Sequence, residues 1–234
     1  MPWDMPGDNS WHPPRMFAII GNGSPDKTSR FSDIKLIGYR HFNSNATGIY
    51  RGIYITGVQN FRIDHCAFIE ILEGIGINQA DAIEACGVID HCVFDNEHVS
   101  YTLNWAERNV GYAIAIYRSN PCTIWEEITD VLGKYTNYTV FIEDCVFTKW
   151  RSVVSGGYGA HYVFRHNIVK NGLAHGEIDL HPAWNPPDVA CRAAEVYDNI
   201  FINPEPVGNP GPIFVVMQYA GGGAYFNNTV HGYE

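Results

Sequence analysis

The chain has 234 residues, enough to enclose a sizeable hydrophobic core. Hydrophobic residues make up 46% and charged residues only 17%, which excludes a disordered chain, a coiled coil and a collagen-like repeat. Acidic residues outnumber Lys and Arg by 25 to 15, a formal net charge of −10, so nucleic acid is not an expected partner; affinity for phosphate rests on clustered Lys and Arg.

Residues 1–15 carry neither a basic region nor an apolar stretch, so no signal peptide is visible in this segment. They are expected to form an extension or a partial cap. No apolar run further on approaches the ~18 residues of a membrane span. Residues 16–234 are expected to form one domain, because a repeat runs through them. A first copy is written in Met16–Gly23 and Asp33–Gly38. The next two align side by side, Phe61-Arg62-Ile63-Asp64-His65-Cys66-Ala67-Phe68 over Gly87-Val88-Ile89-Asp90-His91-Cys92-Val93-Phe94. The frame returns at Phe141–Phe147, Phe164–Val169, Val196–Phe201 and Phe226–Val230.

Anchored on Cys66, Cys92, Cys145, Asn167, Asn199 and Asn228, the spacings are 26, 53, 22, 32 and 29 residues. The spacing of 53 reads as one turn plus an insertion, because a single companion strand lies within it. Companion runs precede the anchors at Ile53–Ile55, Ile75–Ile77, Ala113–Ile116, Val153–Ser155, Ile178–Leu180 and Ile213–Val216. Their β-branched residues and period-2 alternation, bounded by Gly or Asn, predict strands. Each coil therefore holds at least two short strands, and stacking coils at about 4.8 Å gives a parallel solenoid. Ile63, Ile89, Ile142, Phe164, Val196 and Tyr225 are expected to form one inward row, and Phe68, Phe94, Phe147, Val169, Phe201 and Val230 another. An inward Asn at the bend can bond backbone groups left unpaired there, whereas a Cys fills the slot without polar demand.

This ladder resembles that of the right-handed parallel β-helix superfamily, whose pectate-lyase-like members carry comparable Asn stacks. The resemblance covers roughly residues 16 to 230 and implies an all-β right-handed solenoid of about seven coils. It does not imply one function, because the superfamily hosts lyases, hydrolases, epimerases, tail-spikes and non-catalytic surface proteins.

Three segments depart from the repeat: residues 95–112, 118–138 and 182–191. The second contains Trp125–Gly133, a short helix by composition. Long loops on a rigid scaffold are where binding residues tend to sit. Cys86 and Cys122 fall at corresponding points of adjacent coils and could form a disulfide in an exported protein. Cys66 and Cys92 are expected to be buried thiols. Asn22, Asn45, Asn137 and Asn227 begin glycosylation triplets that matter only after secretion. The chain stops just past an anchor with no capping element, so it is expected to be a segment of a longer solenoid or to associate end to end. The parent protein is then expected at the cell surface or outside the cell.

The richest polar cluster is His175-Gly176-Glu177-Ile178-Asp179-Leu180-His181. With Ile178 and Leu180 inward, Asp179 and His181 leave one strand face within about 7 Å of each other. The pair suits a carboxylate orienting an imidazole, or two ligands of a cation such as Ca²⁺. It can equally be a solvated pair with no further role. The surrounding Arg-His-Asn strand at Arg165, Asp-x-His strand at Asp179 and Arg192 with Glu-x-Tyr-x-Asn resemble a pattern of polysaccharide-associated β-helices. For β-elimination beside a uronate carboxylate, His181 or His175 would be the base, Asp179 its orienter, and Arg165 or Arg192 the charge stabiliser. Glu177 and Asp179 are not expected to form a hydrolase pair. Substrate contacts are expected from Trp184, Tyr158, Arg151 and Tyr117, with Tyr54 and Trp150 as further stacking candidates. The stacked Asp64-His65 and Asp90-His91 pairs, continued by Asp144 and His166, could hold a divalent ion or simply reflect the repeat. Gly221–Gly223 reads as a turn.

The sequence supports two functional readings. One is a carbohydrate-active β-helix that binds an extracellular uronate polysaccharide and cleaves it if the site is catalytic. The other is a structural or adhesive β-helix in a surface fibre or virion spike.

Overall fold

A computed structural model describes residues 15–21, 27–38, 51–71, 73–79, 85–97, 111–117, 139–157, 159–172, 176–180, 191, 193–204, 213–217 and 222–233. The elements among them are all strands, three to a coil. The first coil holds β1 (Arg15–Ile20), β2 (Ser29–Ser32) and β3 (Lys35–Ile37), and the second β4 (Arg51–Thr56), β5 (Phe61–Asp64) and β6 (Ala67–Ile69). The third holds β7 (Glu73–Asn78), β8 (Gly87–Asp90) and β9 (Val93–Asp95), and the fourth β10 (Tyr112–Tyr117), β11 (Val140–Glu143) and β12 (Val146–Thr148). Then come β13 (Ser152–Gly157), β14 (His161–Arg165) and β15 (Ile168–Lys170), followed by β16 (Gly176–Leu180), β17 (Ala193–Tyr197) and β18 (Ile200–Ile202). The seventh coil is β19 (Ile213–Met217), β20 (Gly222–Phe226) and β21 (Thr229–His231).

Corresponding strands pair in parallel to give three seven-stranded sheets: A from β1 to β19, B from β2 to β20 and C from β3 to β21. This is a parallel β-helix of seven coils. The companion runs make sheet A, and the frame ahead of each anchor makes sheet B. Sheet C consists of three-residue strands just after the anchor, too short to show a period of their own. Because β8 pairs with β11, Cys92 and Cys145 are neighbours in the ladder despite their spacing of 53. The proposed Trp125–Gly133 helix and the partner Cys122 lie outside the described residues. Cys66, Cys92 and Cys145 are buried free thiols.

Both expected inward rows form. Phe31, Ile63, Ile89, Ile142, Phe164, Val196 and Tyr225 line up in sheet B. Leu36, Phe68, Phe94, Phe147, Val169, Phe201 and Val230 line up in sheet C. Taken coil by coil, each of the seven contributes one aromatic and one aliphatic side chain to these two rows. Phe68, Phe94 and Phe147 stack face to face at 4.6 and 4.8 Å. Where the sheet C row steps down to Val169, Phe164 of the same coil crosses from sheet B and contacts Phe147 at 5.5 Å and Phe201 at 6.2 Å. Core volume per coil is kept while its position alternates, the kind of exchange a close-packed interior tolerates.

The bend from sheet B to sheet C takes two residues in every coil. Its first position, Asp33, His65, His91, Asp144, His166, Asp198 and Asn227, has φ between 52° and 58°. Asp, Asn and His are the non-glycine residues that best tolerate this left-handed region, which explains the restricted residue choice. The second position points inward and forms the ladder. Asn167, Asn199 and Asn228 each accept from the backbone N–H of the preceding anchor, at 2.9, 2.9 and 3.1 Å. Each donates Nδ2 to the preceding coil's strand carbonyl, Ile142, Phe164 or Val196, at 2.8–2.9 Å. The cysteines are not free of polar demand, as their size suggests. Cys145 Sγ accepts from the Cys92 N–H at 3.4 Å, and the Cys66 and Cys92 thiols each face two carbonyls, their own coil's Asp64 O and Asp90 O at 3.3 Å and the preceding coil's Phe31 O and Ile63 O at 3.6 Å. Thiols reproduce the Asn pattern with longer, weaker bonds. Hydrogen bonding to the next thiol along the ladder, with burial adding to it, pushes the Cys66 and Cys92 thiols up.

Candidate functional site

Sheet A positions the polar cluster. Ile53, Ile75, Ile114, Val154 and Ile178 form one rung row within the core. The following row, Tyr54, Gly76, Ala115, Ser155 and Asp179, lies on the opposite, outer face. Arg51 and Glu73 also belong to this face: Arg51 Nε donates to Glu73 Oε2 at 2.9 Å, and the Arg15 guanidinium sits 3.8 Å from the Tyr54 ring centre. Burial raises the Glu73 carboxyl above its ordinary range despite the Arg51 guanidinium.

Asp179 is on the outer face, as strand alternation predicts, but it is not a solvated residue. Its exposure is 0%, and the Ser155 hydroxyl donates to its Oδ2 at 3.4 Å. Alternation assigns a face without saying whether that face is covered. Tyr112 and Tyr117 border the same rungs. Burial holds both hydroxyls above the usual tyrosine range, with Asp179 and Glu73 adding to the effect and a hydrogen bond with Ser155 opposing it. The Arg151 guanidinium lies 5.5 Å from the Tyr112 ring centre. Asp179, Tyr117 and Arg151 are thus gathered on one sheet face, joined by Tyr112 and Ser155, which the sequence reading did not single out. Tyr112 and Arg151 are partly exposed and mark where this group reaches the surface.

Arg165 is elsewhere. It lies on β14 of sheet B, where Nε donates to Glu143 Oε2 at 2.7 Å and a terminal nitrogen donates to Tyr197 Oη at 3.0 Å. The Arg–Glu–Tyr set spans three coils of one sheet and is engaged in holding them together. His175, His181, Arg192, Trp184 and Tyr158 lie outside the described residues. Trp150 is fully buried, with its indole N–H donated to Phe94 O at 3.1 Å, so it is a core residue and no sugar platform. Tyr54 is buried as well.

Glu177 and Asp179 are two apart, a spacing that on a regular strand gives both side chains one face. They point apart because the strand bends. Glu177 shares its rung position with Gly74 and Ala113, and at that position the chain faces the core: a Cβ on Gly74 would lie 2.9 Å from the Phe94 ring. Glu177 turns into the corner between sheets C and A, against Gly172, where any Cβ would collide with Oε1. Its Oε1 accepts from Tyr233 Oη–H at 3.1 Å, and Oε2 has no hydrogen-bond partner among the described residues. Burial holds the Glu177 carboxyl well above the usual range, with the Tyr233 bond a smaller opposing effect.

The Asp-His pairs of sheet B are held by an ion-pair ladder. Arg30 donates to both Asp64 oxygens at 2.8 and 2.6 Å, and Arg62 to both Asp90 oxygens at 3.1 and 2.8 Å. The Arg30 hydrogen bonds hold the Asp64 carboxyl far below its ordinary range. Burial opposes ionisation of Asp90, but Arg62 and His91 outweigh it and the net shift is downward. Among the described residues, no three or more His, Cys, Asp or Glu side chains gather around a metal-sized space. No helix among them is long and apolar enough to cross a membrane.

Comparison of the chain with protein families, with curated proteins and with solved structures gave no match.

Proposed function

We propose that this solenoid binds an extracellular, uronate-containing polysaccharide along the outer face of sheet A, as a member of the right-handed pectate-lyase-like superfamily. The observation that carries the reading is the convergence of Asp179, Ser155, Tyr112, Tyr117 and Arg151 on that one face. Aromatic rings and a guanidinium are the groups that stack on sugar rings and pair with uronate carboxylates, and the buried Ser155 and Asp179 lie behind them. The partly exposed Arg151 and Tyr112 are the first contacts. In the elimination version of this reading, His181 takes the proton beside the uronate carboxylate and Asp179 orients the imidazole. The developing charge is then met by Arg151, and the C–O bond to the leaving glycosidic oxygen breaks as the C=C bond forms, with water protonating that oxygen; were Ca²⁺ to serve instead, Asp179 would supply it an oxygen ligand.

The test is binding and turnover on a panel of uronate polysaccharides, with and without Ca²⁺, followed by calorimetry and by absorbance near 235 nm. Arg151→Ala and Tyr112→Ala are expected to weaken binding about tenfold each, an interaction of about 1.4 kcal/mol. Arg62→Ala, on sheet B, should leave binding unchanged. His181→Ala should abolish any absorbance signal while retaining binding. No binding to any member of the panel sinks this reading.

One feature favours the structural alternative. The outer face of sheet C carries an apolar row, Ala67, Val93, Val146, Ile168 and Ile200, with Val93 and Ile200 both 40% exposed. A surface fibre or adhesive module would use such a face for association.

A further inference from the structure

The bend row has a property that neither reading uses. His65 and His91 occupy it in adjacent coils, with rings 5.1 Å apart at centre and 9° from parallel. Their side chains are 54% and 53% exposed. Each Nδ1 lies 2.9 Å from a carboxylate oxygen, Asp64 for His65 and Asp90 for His91. An ionised carboxylate only accepts, so Nδ1 must carry the proton of the neutral ring and Nε2 must carry the lone pair. Arg30 and Arg62 hold the two carboxylates from the other side. Both imidazoles are thus set in tautomer by a carboxylate that is itself held. This is the outer-shell arrangement that metal-ligating histidines share. The coils on either side place Asp33 and Asp144 at the same turn position.

We propose that His65 and His91 form a two-histidine site for a borderline first-row divalent cation, Zn²⁺ or Ni²⁺, bound through both Nε2 atoms and completed by water. Imidazole ligands select this class over Ca²⁺ and Mg²⁺, which take oxygen. Metal–nitrogen bonds of about 2.0–2.1 Å keep two bound nitrogens within about 4 Å of each other, so the stacked rings tilt together on binding. Two protein ligands, with no third among the described residues, make the site open and its affinity modest.

Titration of the full chain with ZnCl₂ by calorimetry tests this, using His65→Asn and His91→Asn. Asn already stands in this row at Asn227 with φ of 54°, so both variants keep the turn. Each variant is expected to bind Zn²⁺ at least tenfold more weakly than the wild type, and His166→Asn to bind as the wild type does. Cu²⁺ loaded at one equivalent should show electron-resonance splitting from two nitrogens. A wild type that takes up no Zn²⁺ at millimolar concentration overturns the proposal. So do single variants that titrate like the wild type, or a one-nitrogen Cu²⁺ spectrum.

Discussion

Ionising Glu177 would put a charge into a buried corner where, among the described residues, one hydrogen bond, from Tyr233, meets it. Its carboxyl titrates well above the unfolded value of 4.5, so the folded state holds a proton that the unfolded chain releases. The stability tied to Glu177 is therefore fully present below about pH 4.5 and declines as pH rises toward the folded-state value. Glu177→Gln, which keeps the shape and cannot ionise, should flatten the alkaline side of a melting-temperature profile. A variant whose profile is parallel to the wild type's would remove this account. Asp64 and Asp90 behave with opposite sign. Their folded values are depressed, so the stability they confer is present above the ordinary carboxyl range and is lost as pH falls through the folded-state values. Asp90→Asn should lower stability at neutral pH and make it less sensitive to acid, measured by denaturant unfolding between pH 2 and 7. The residue scale is also where the sequence was least legible. That Asp179 leaves the core face can be read from alternation. Its complete burial and the turn of Glu177 into the corner depend on a strand bend and on the cover over the sheet, neither of which leaves a periodic trace.

Elements here are defined by rungs, and the sequence was readable where a rung repeats a residue type. The Cys-to-Asn anchor row and the two apolar rows stood out because identical positions recur at intervals of one coil. Sheet C's strands, three residues each, were visible only through their place directly after an anchor. The exchange of aromatic and aliphatic between sheets B and C yields a direct test. Phe164→Val should cost roughly 2–3 kcal/mol through the cavity it leaves, and Val169→Phe about 1–3 kcal/mol through crowding. Made together they restore the pattern of the coils on either side, Ile142 with Phe147 and Val196 with Phe201. The double variant should recover at least ~1 kcal/mol relative to the sum of the singles, read by a double-mutant cycle. Strict additivity would mean the two positions do not share one volume. The ladder itself should be graded along the chain. The Asn199 side chain accepts from Asn167 through Oδ1, and its Nδ2 faces Asn228 Oδ1 and the carbonyls of Phe164 and Tyr197. Asn199→Ala is expected to cost about 2–4 kcal/mol, whereas Cys92→Ala, losing long sulfur contacts, should cost about 1 kcal/mol.

At the scale of the molecule, the three sheets carry different burdens. Sheet A gathers buried polar and aromatic groups, sheet B an ion-pair ladder, and sheet C an exposed apolar row. If sheet C mediates association, Ile200→Lys should shift sedimentation toward smaller species while changing stability by no more than about 0.5 kcal/mol, as expected of an exposed site. An unchanged sedimentation profile would leave sheet C without that role.

The two-residue bend between sheets B and C does not vary, whether successive anchors are 22 or 53 residues apart. Apart from single-residue differences in the strands of sheets A and B, the changes in length are taken up at the other two corners. Position along the chain is consequently a poor coordinate for this molecule, and position on the rung a good one. Two chains of this kind could differ by dozens of residues and still superimpose rung for rung, with their likeness confined to a left-handed residue, an inward anchor and the alternating pair of core side chains. Evolutionary kinship among such proteins would then be carried by a short recurring phrase and would fade quickly when sequences are compared end to end.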